Sequence, residues 1–319
     1  MSWLAPLQSA LGLAAIVGIA WALSENRREI PSWRWILGAL ILQVTVAFAV
    51  LRVPVIWEAL RAANAGVAVL EASSRAGSSY MFGYLGGAEP PFELKPGAAV
   101  PVIIAFQILP LVILTSALAA LLWHWGVLRL VVRGLSWALQ RTLGIGGAVG
   151  LNAGANVFLG VVEAPLIVRA YLRTVTRAEL FMMMTLGMAT VSGVVLVLYS
   201  QTLASVVDNS FGHVITASLV CLPASILLAR LMVPGQSPTG ADPRADELRY
   251  DSSIDALVRG TFDGLQLFLA VIAVLMVVFS LVALANFILG TFPSFGGEAL
   301  TLQRIFGWLF APLMWLIGV

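Results

Sequence analysis

Long runs of apolar residues are the feature that most constrains the fold of this 319-residue chain. A helix needs roughly 20 predominantly apolar residues to cross the hydrocarbon core of a bilayer. Five runs reach about that length, at residues 3–23, 35–56, 98–123, 212–233 and 264–290. A sixth run, at 178–200, is long enough but is interrupted by Thr185, Gly187, Thr190, Ser192 and Gly193. We therefore predict an all-α membrane protein that crosses the lipid bilayer several times.

The composition agrees with this class and excludes others. Hydrophobic residues make up 60% of the chain and charged residues only 11%, unlike a soluble domain. The net charge of +2 is too small to indicate nucleic acid as a partner. A lone cysteine, two histidines and the absence of hydrolase or metalloprotease motifs from the sequence argue against an enzyme and against a bound cofactor.

Arginine placement predicts the orientation, because cytoplasmic loops carry an excess of Lys and Arg. Arginines follow the first and third runs, precede the interrupted run and flank the polar linker 234–254, whereas residues 201–213 contain no Arg or Lys. We predict the N-terminus outside and the arginine-rich segments in the cytoplasm, in a bacterial-type inner membrane. Residues 57–97 then lie outside, in part as a surface helix and in part as an ordered loop.

Two neighbouring segments predict a helical hairpin that enters and leaves the membrane on one side. Residues 127–143 space three arginines along one helical side, which is typical of a helix lying in the interface. Arginines at 169–177 return the chain to the same side, and about 25 residues are too few to cross twice as full helices. The alternative is a single interfacial or crossing helix with a protonated Glu163.

Polar and helix-breaking residues interrupt the apolar stretch that this hairpin would contain, namely Asn156, Gly160, Glu163 and Pro165. A carboxylate in hydrocarbon costs a few kcal/mol at the least, so it should face protein, water or a ligand. Irregular backbone with an acid at membrane depth is how secondary transporters build a site for an ion and a solute. The pattern predicts a polytopic transporter with a re-entrant helical hairpin and a broken transmembrane helix.

The same stretch resembles one family. The run Asn156-Val-Phe-Leu-Gly-x-x-Glu-Ala-Pro-Leu resembles the concentrative nucleoside transporters, whose motif usually reads Gly-Gln-Thr-Glu-Ala-Pro. Further similarities are Gly18-Ile-Ala-Trp-Ala-Leu-Ser-Glu-Asn-Arg-Arg, Phe106-Gln-Ile-Leu-Pro, Asp263-Gly-Leu-Gln-Leu and Gly307-Trp-Leu-Phe-Ala-Pro-Leu. The resemblance implies a homotrimer, each protomer with a scaffold and a moving transport domain, that imports nucleosides by alternating access, driven by sodium or by protons.

The resemblance also implies a division of the chain. Residues 1–143 would form scaffold helices and the interfacial helix, and 144–200 the first half of the transport domain, with the hairpin at 144–170 and the broken helix at 178–200. Residues 201–263 would form a scaffold-type helix and a cytoplasmic linker. Residues 264–319 would form a long transmembrane helix and an amphipathic C-terminal segment.

Carried over residue by residue, the resemblance implies a sodium site and a substrate site. Sodium would bind side-chain oxygens of Asn156 and Thr190 and the carbonyls of Leu159 and Val191. The hairpin tip facing the nucleobase would be Gly160, Val161, Val162 and Glu163, with Val195 as an apolar wall. For Asn156 and Thr190 the alternative role is hydrogen bonding between helices. Asn156 and Thr190 favour sodium, whereas Glu163 could instead carry a proton.

This chain departs from the family pattern in two respects. Val161 and Val162 stand where the family usually has Gln and Thr, so the tip loses hydrogen bonds to the base and either specificity has shifted or binding is weak. The chain ends at Val319, where the family continues into a second hairpin, so we expect a truncated form whose uptake requires the further segment. The alternative is a pseudo-transporter that binds nucleosides without carrying them.

Overall fold

The computed structural model describes residues 4–29, 31–92, 102–159, 164, 167–168, 171–204, 206–235, 249–292 and 299–318. These residues form helices and connecting turns, with no β-strand among them. The α-helices are α1 Leu4–Ala22, α2 Trp33–Arg52, α3 Pro54–Phe82, α4 Pro110–His124, α5 Val127–Leu143, α6 Gly147–Asn156, α7 Arg177–Ala189, α8 Gly193–Leu203, α9 Ser210–Met232, α10 Ser253–Leu289 and α11 Leu302–Ile317. A 3-10 turn, Gly83–Gly86, follows α3, and a π-helical turn, Ile104–Ile108, precedes α4.

The predicted all-α membrane class is confirmed. Across the described ranges, five helical segments are long and apolar enough to cross a membrane: Trp33–Arg52, Ile104–His124, Arg177–Leu203, Ser210–Met232 and Ser253–Leu289. The first predicted run corresponds to α1, whose apolar part, Ala10–Ala22, is shorter than the others. Most large apolar side chains of α10 are exposed, as expected of a surface that faces lipid.

The apolar runs did not give the bounds of two helices, each of which is set by a local feature. Helix α3 spans the 29 residues Pro54–Phe82. Pro54 suits a first helical turn, and Gly83, with a φ of 57°, ends the helix. Helix α10 begins 11 residues before the apolar run at 264 and is 37 residues long. Its start is stabilised where the Asp255 backbone N–H donates to Ser252 Oγ at 3.1 Å, a capping contact that hydropathy alone does not reveal.

The chain packs as two compact units, and the first contains Met1–Arg27 and Leu269–Val319. In it α1 packs on α11, and the Gln8 side chain donates a hydrogen bond to the Trp315 carbonyl. Asn286 joins α10 to α11: its Oδ1 accepts from the Leu302 backbone N–H at 2.8 Å and its Nδ2 donates to Gln303 Oε1 at 3.0 Å. These contacts tie the C-terminal helices together.

The second unit, Arg28–Phe268, contains the predicted site. Helix α9 packs against α2, α3, α7 and α8, while α5 packs on α6 and α6 on α7. Helix α5 has the predicted bounds and is amphipathic, with the apolar residues Leu128, Val132, Leu139 and Leu143 buried on one side. Glycines with left-handed φ, Gly126 and Gly144, flank it, so the chain turns sharply at both ends.

Helix α6 is the described arm of the predicted hairpin, and all ten of its residues are buried. Its glycines allow a close approach to α5: a Cβ added at Gly154 would lie 2.7 Å from the Val132 carbonyl oxygen, and one at Gly150 2.8 Å from Cγ of Gln140. Most of 160–170 lies outside the described residues, so the hairpin stays a prediction. So does the division into scaffold and transport parts, because it concerns which helices move together rather than which are packed together.

Candidate functional site

The third of the five long apolar segments, Arg177–Leu203, is broken into two half-helices, α7 and α8. Helix α7 ends at Ala189, and Thr190 and Ser192 have extended backbone, with ψ of 153° and 150°. Ser192 then caps α8, its Oγ accepting from the Val195 backbone N–H at 3.4 Å. Such a break leaves backbone carbonyls without their usual partners in the middle of an apolar segment.

A capping box holds the start of the first half-helix, α7. The Thr176 backbone N–H donates to Glu179 Oε2 at 2.9 Å, and the Glu179 backbone N–H donates to Thr176 Oγ1 at 3.3 Å. Glu179 is fully buried. The Thr-x-x-Glu spacing is a sequence signature of a helix start, so α7 has a defined beginning as well as a defined break.

The end of α6 meets this break through backbone contacts. The Gly193 backbone N–H donates to the Phe158 carbonyl at 3.2 Å. A Cβ added at Gly193 would lie 2.7 Å from the same oxygen, which is closer than real Cβ contacts occur. Glycine is therefore required at position 193 for the turn after α6 to contact the break between α7 and α8.

The four predicted sodium ligands lie on either side of that contact. Asn156 is the last residue of α6 and is 2% exposed, and Leu159 is buried in the turn that follows. Thr190 is 9% exposed and Val191 is partly buried, both within the break. The Thr190 hydroxyl donates to the Leu186 carbonyl at 2.8 Å, and its oxygen keeps lone pairs for a ligand. Side-chain and carbonyl oxygens of this kind suit a hard cation.

The predicted substrate residues are only partly visible. Gly160, Val161, Val162 and Glu163 lie outside the described residues, so their placement stays a prediction. Val195 lies in the first turn of α8, partly buried, one turn beyond the break. A cavity of about 230 Å³ with an almost wholly apolar lining opens beside the break, between Phe158 and Gly193 on one side and Thr115 of α4 on another.

Two buried polar residues at the site were not predicted from the sequence. Ser218 of α9 accepts a hydrogen bond at its Oγ from the Val191 backbone N–H at 3.3 Å and so orients the break from a third helix. Asn152 of α6 donates from its Nδ2 to the Met183 carbonyl of α7 at 3.3 Å. The signal that could have found them is an isolated polar residue in an apolar segment.

The sequence matches three family descriptions that together extend over most of the chain. Residues 11–85 match the Na+ dependent nucleoside transporter N-terminus, and residues 213–319 match the Na+ dependent nucleoside transporter C-terminus. Residues 105–206, which include the broken helix and α6, match a description named Gate, for nucleoside recognition.

Individual relatives agree with these matches. An uncharacterized transporter of Haemophilus influenzae is 37% identical over 98% of this chain and 72% of the relative. Nucleoside permease NupC of Helicobacter pylori is 30% identical over 98% of this chain and 73% of the permease. Sodium/nucleoside cotransporter 2 of Rattus norvegicus is 28% identical over 98% of this chain and 45% of the cotransporter.

Solved structures show the same architecture. The structure of CNTnw in an inward-facing substrate-bound state superposes with a TM-score of 0.86 at 36% identity, covering 100% of this chain and 74% of that one. CNTnw in an outward-facing state superposes with a TM-score of 0.84 at 34% identity, covering 100% and 75%.

Proposed function

This chain belongs to the family of Na+-dependent, concentrative nucleoside transporters, and on that premise we propose that it imports nucleosides across an inner membrane as a sodium-coupled secondary transporter. Transport proceeds by alternating access in a homotrimer, with the N-terminus outside. The division proposed for the protomer is scaffold helices in 1–143 and 201–263 and transport elements in 144–200. Proton coupling through Glu163 is the alternative.

The observation that carries this proposal is the backbone contact between the end of α6 and the break between α7 and α8. Sodium is bound there by oxygens of Asn156 and Thr190 and by the carbonyls of Leu159 and Val191. Because the carbonyls of a helix break have lost their intrahelical partners, binding the ion satisfies groups that lipid cannot satisfy. This links occupancy of the ion site to the shape of the break.

The nucleoside binds next to the ion, against the re-entrant tip Gly160–Glu163 and the wall formed by Val195. Ion binding organises the tip, which is how the sodium gradient is coupled to substrate. Val161 and Val162 offer apolar contact in place of two hydrogen bonds, so Glu163 is the tip side chain that reads polar groups of the substrate, directly or through water.

The test is Thr190→Val, which keeps the side-chain shape and removes the oxygen proposed to bind sodium. We expect about a tenfold higher sodium concentration for half-maximal stabilisation of the protein in detergent, as for the loss of one good polar partner. Sodium-dependent binding of uridine should weaken in parallel. Sodium is exchanged against choline so that ionic strength stays constant.

The matched control is Thr185→Val, five residues earlier and within α7. The Thr185 hydroxyl donates to the Phe181 carbonyl at 2.8 Å, the same back-bond that Thr190 makes to Leu186. If stabilisation by sodium were lost equally in both variants, the loss would come from the hydrogen bond to the helix backbone and not from a missing ligand of the ion. Uridine binding by the unaltered protein that does not change with the sodium concentration would contradict sodium coupling itself.

A further inference from the structure

Asn152 has a buried oxygen without a hydrogen-bond partner in the part of the chain that the structure describes. The residue is 1% exposed. Its Nδ2 donates to the Met183 carbonyl, and its Oδ1 has no hydrogen-bond partner among the described residues. Buried polar atoms are almost always satisfied by protein, water or an ion, and an orphan is costly to keep. The free oxygen is an acceptor that a small polar ligand can satisfy.

The position of Asn152 on α6 indicates which ligand its free oxygen binds. Gly150 and Gly154 form the side of α6 that presses on α5, and Asn152 lies on a different side, against α7. Asn156 is four residues further along, so it shares the Asn152 side of the helix. The two asparagines are separated by about 6 Å of helix rise, with Asn152 nearer the helix start at Gly147.

We infer that Asn152 Oδ1 forms a way station for the coupling cation, between the proposed sodium site at the end of α6 and the cytoplasmic side. The inference rests on the proposed function, from which it takes the ion and the direction. An amide oxygen is a hard, neutral ligand, and the Met183 carbonyl that accepts the Asn152 N–H is a second oxygen nearby.

The oxygens of Asn152 and Met183 suit brief binding of sodium rather than tight binding. A neutral oxygen pair with water completing the shell holds sodium more weakly than a carboxylate would, and an ion on a path must be able to leave each position. Asn152 lies in the seam between α6 and α7, the two elements whose ends form the proposed site. A way station there shortens the distance that the ion must travel without a protein oxygen as a ligand.

The experiment measures release of ²²Na⁺ from the protein in oriented proteoliposomes, together with sodium-dependent stabilisation. Asn152→Leu removes the oxygen and should slow release about tenfold, while the sodium midpoint for stabilisation changes less than the release rate. Asn152→Ser keeps an oxygen and should release sodium faster than the leucine variant. The control is Asn64→Leu in α3, which also loses one side-chain hydrogen bond to the backbone, here one that Asn64 Oδ1 accepts from the Phe211 N–H.

The outcomes separate this inference from the proposed function. Release from folded Asn152→Leu at the unaltered rate, or release from Asn152→Ser as slow as from leucine, would overturn the way station and leave sodium coupling standing. If the leucine variant does not fold, Asn152→Asp decides, because its added charge should hold sodium longer. Unchanged release from the aspartate variant would point to an ordered water and overturn the inference. An unaltered protein that sodium does not stabilise would contradict the proposed function first.

Discussion

At the scale of single residues, the site consists of a few polar groups in an apolar interior. Asn156 at the end of α6, Thr190 in the break after α7 and Ser218 in α9 are all buried. A buried polar group without a partner costs about 1–3 kcal/mol, so each must have a partner or a ligand. Thr190 and Ser218 have hydrogen bonds that set the shape of the break, which leaves their remaining lone pairs directed by the fold rather than by solvent.

The double change Val161→Gln with Val162→Thr tests the proposed substrate tip. It restores the polar pair that the family usually carries and should tighten uridine binding, because hydrogen bonds to the base replace apolar contacts. Equilibrium binding of uridine in the presence of sodium measures the effect. The reciprocal control is Val206→Thr, an exposed valine beyond α8, which should bind uridine as the unaltered protein does. If the double variant, the control and the unaltered protein bound uridine with equal affinity, the tip residues would not contact the nucleobase.

Glu179→Ala tests the capping box of α7. The change removes a buried cap and leaves the Thr176 N–H without its acceptor, so we expect a loss of about 2 kcal/mol of stability. The melting temperature in detergent reports it. Glu58→Ala is the matched control, because Glu58 forms only an exposed ion pair with Arg61 at 3.2 Å and should change stability little. Similar melting temperatures for both variants would show that the cap is dispensable.

At the scale of helices, close backbone approach determines the arrangement. Gly154 brings α6 onto α5, and Gly193 brings the start of α8 onto the turn after α6. Small residues at helix contacts in membranes allow dispersion and backbone interactions that larger side chains would prevent. The two glycines therefore hold α6 between α5 and the break, where the C-terminal end of α6 forms one side of the proposed ion site.

Gly193→Ala tests the contact between α6 and the break. The new methyl group overlaps the Phe158 carbonyl, so the half-helix must shift, at a cost of about 1–3 kcal/mol. We expect a lower melting temperature and weaker stabilisation by sodium. Gly66→Ala in α3 meets no atom within 4 Å and should be neutral or slightly stabilising. If sodium stabilised Gly193→Ala as much as the unaltered protein, the ion site would not depend on the contact between Phe158 and Gly193.

At the scale of the whole molecule, arginine placement gives the proposed orientation its physical basis. Segments rich in Arg stay on the cytoplasmic side. By that rule α5 and the start of α7 face the cytoplasm, and the turn between α8 and α9 faces outward. The same orientation directs α6 inward from the cytoplasmic side, so the ion site at its end lies partway across the membrane.

Labelling of single cysteines tests the orientation. The chain has one natural cysteine, so Cys221→Ser provides a cysteine-free background. On intact spheroplasts an impermeant maleimide should label Asp208→Cys but not Arg133→Cys, and both should react after permeabilisation. Both positions are exposed in the structure, so access depends on the side of the membrane. The opposite pattern would invert the proposed topology.

The sequence by itself determined the membrane class, the positions of most helices and the family. Hydropathy and the spacing of arginines are local properties, which explains why α5 has the predicted bounds and why the interruption at Thr190–Gly193 is a real break. The length of α3 and the early start of α10 escaped prediction because they depend on caps rather than on hydropathy. Only the tertiary structure decided that Gly193 touches Phe158, that Ser218 holds Val191, and that Asn152 keeps an unsatisfied oxygen. Those contacts join residues far apart in the chain, and packing geometry, which no local pattern encodes, sets which polar atoms find partners.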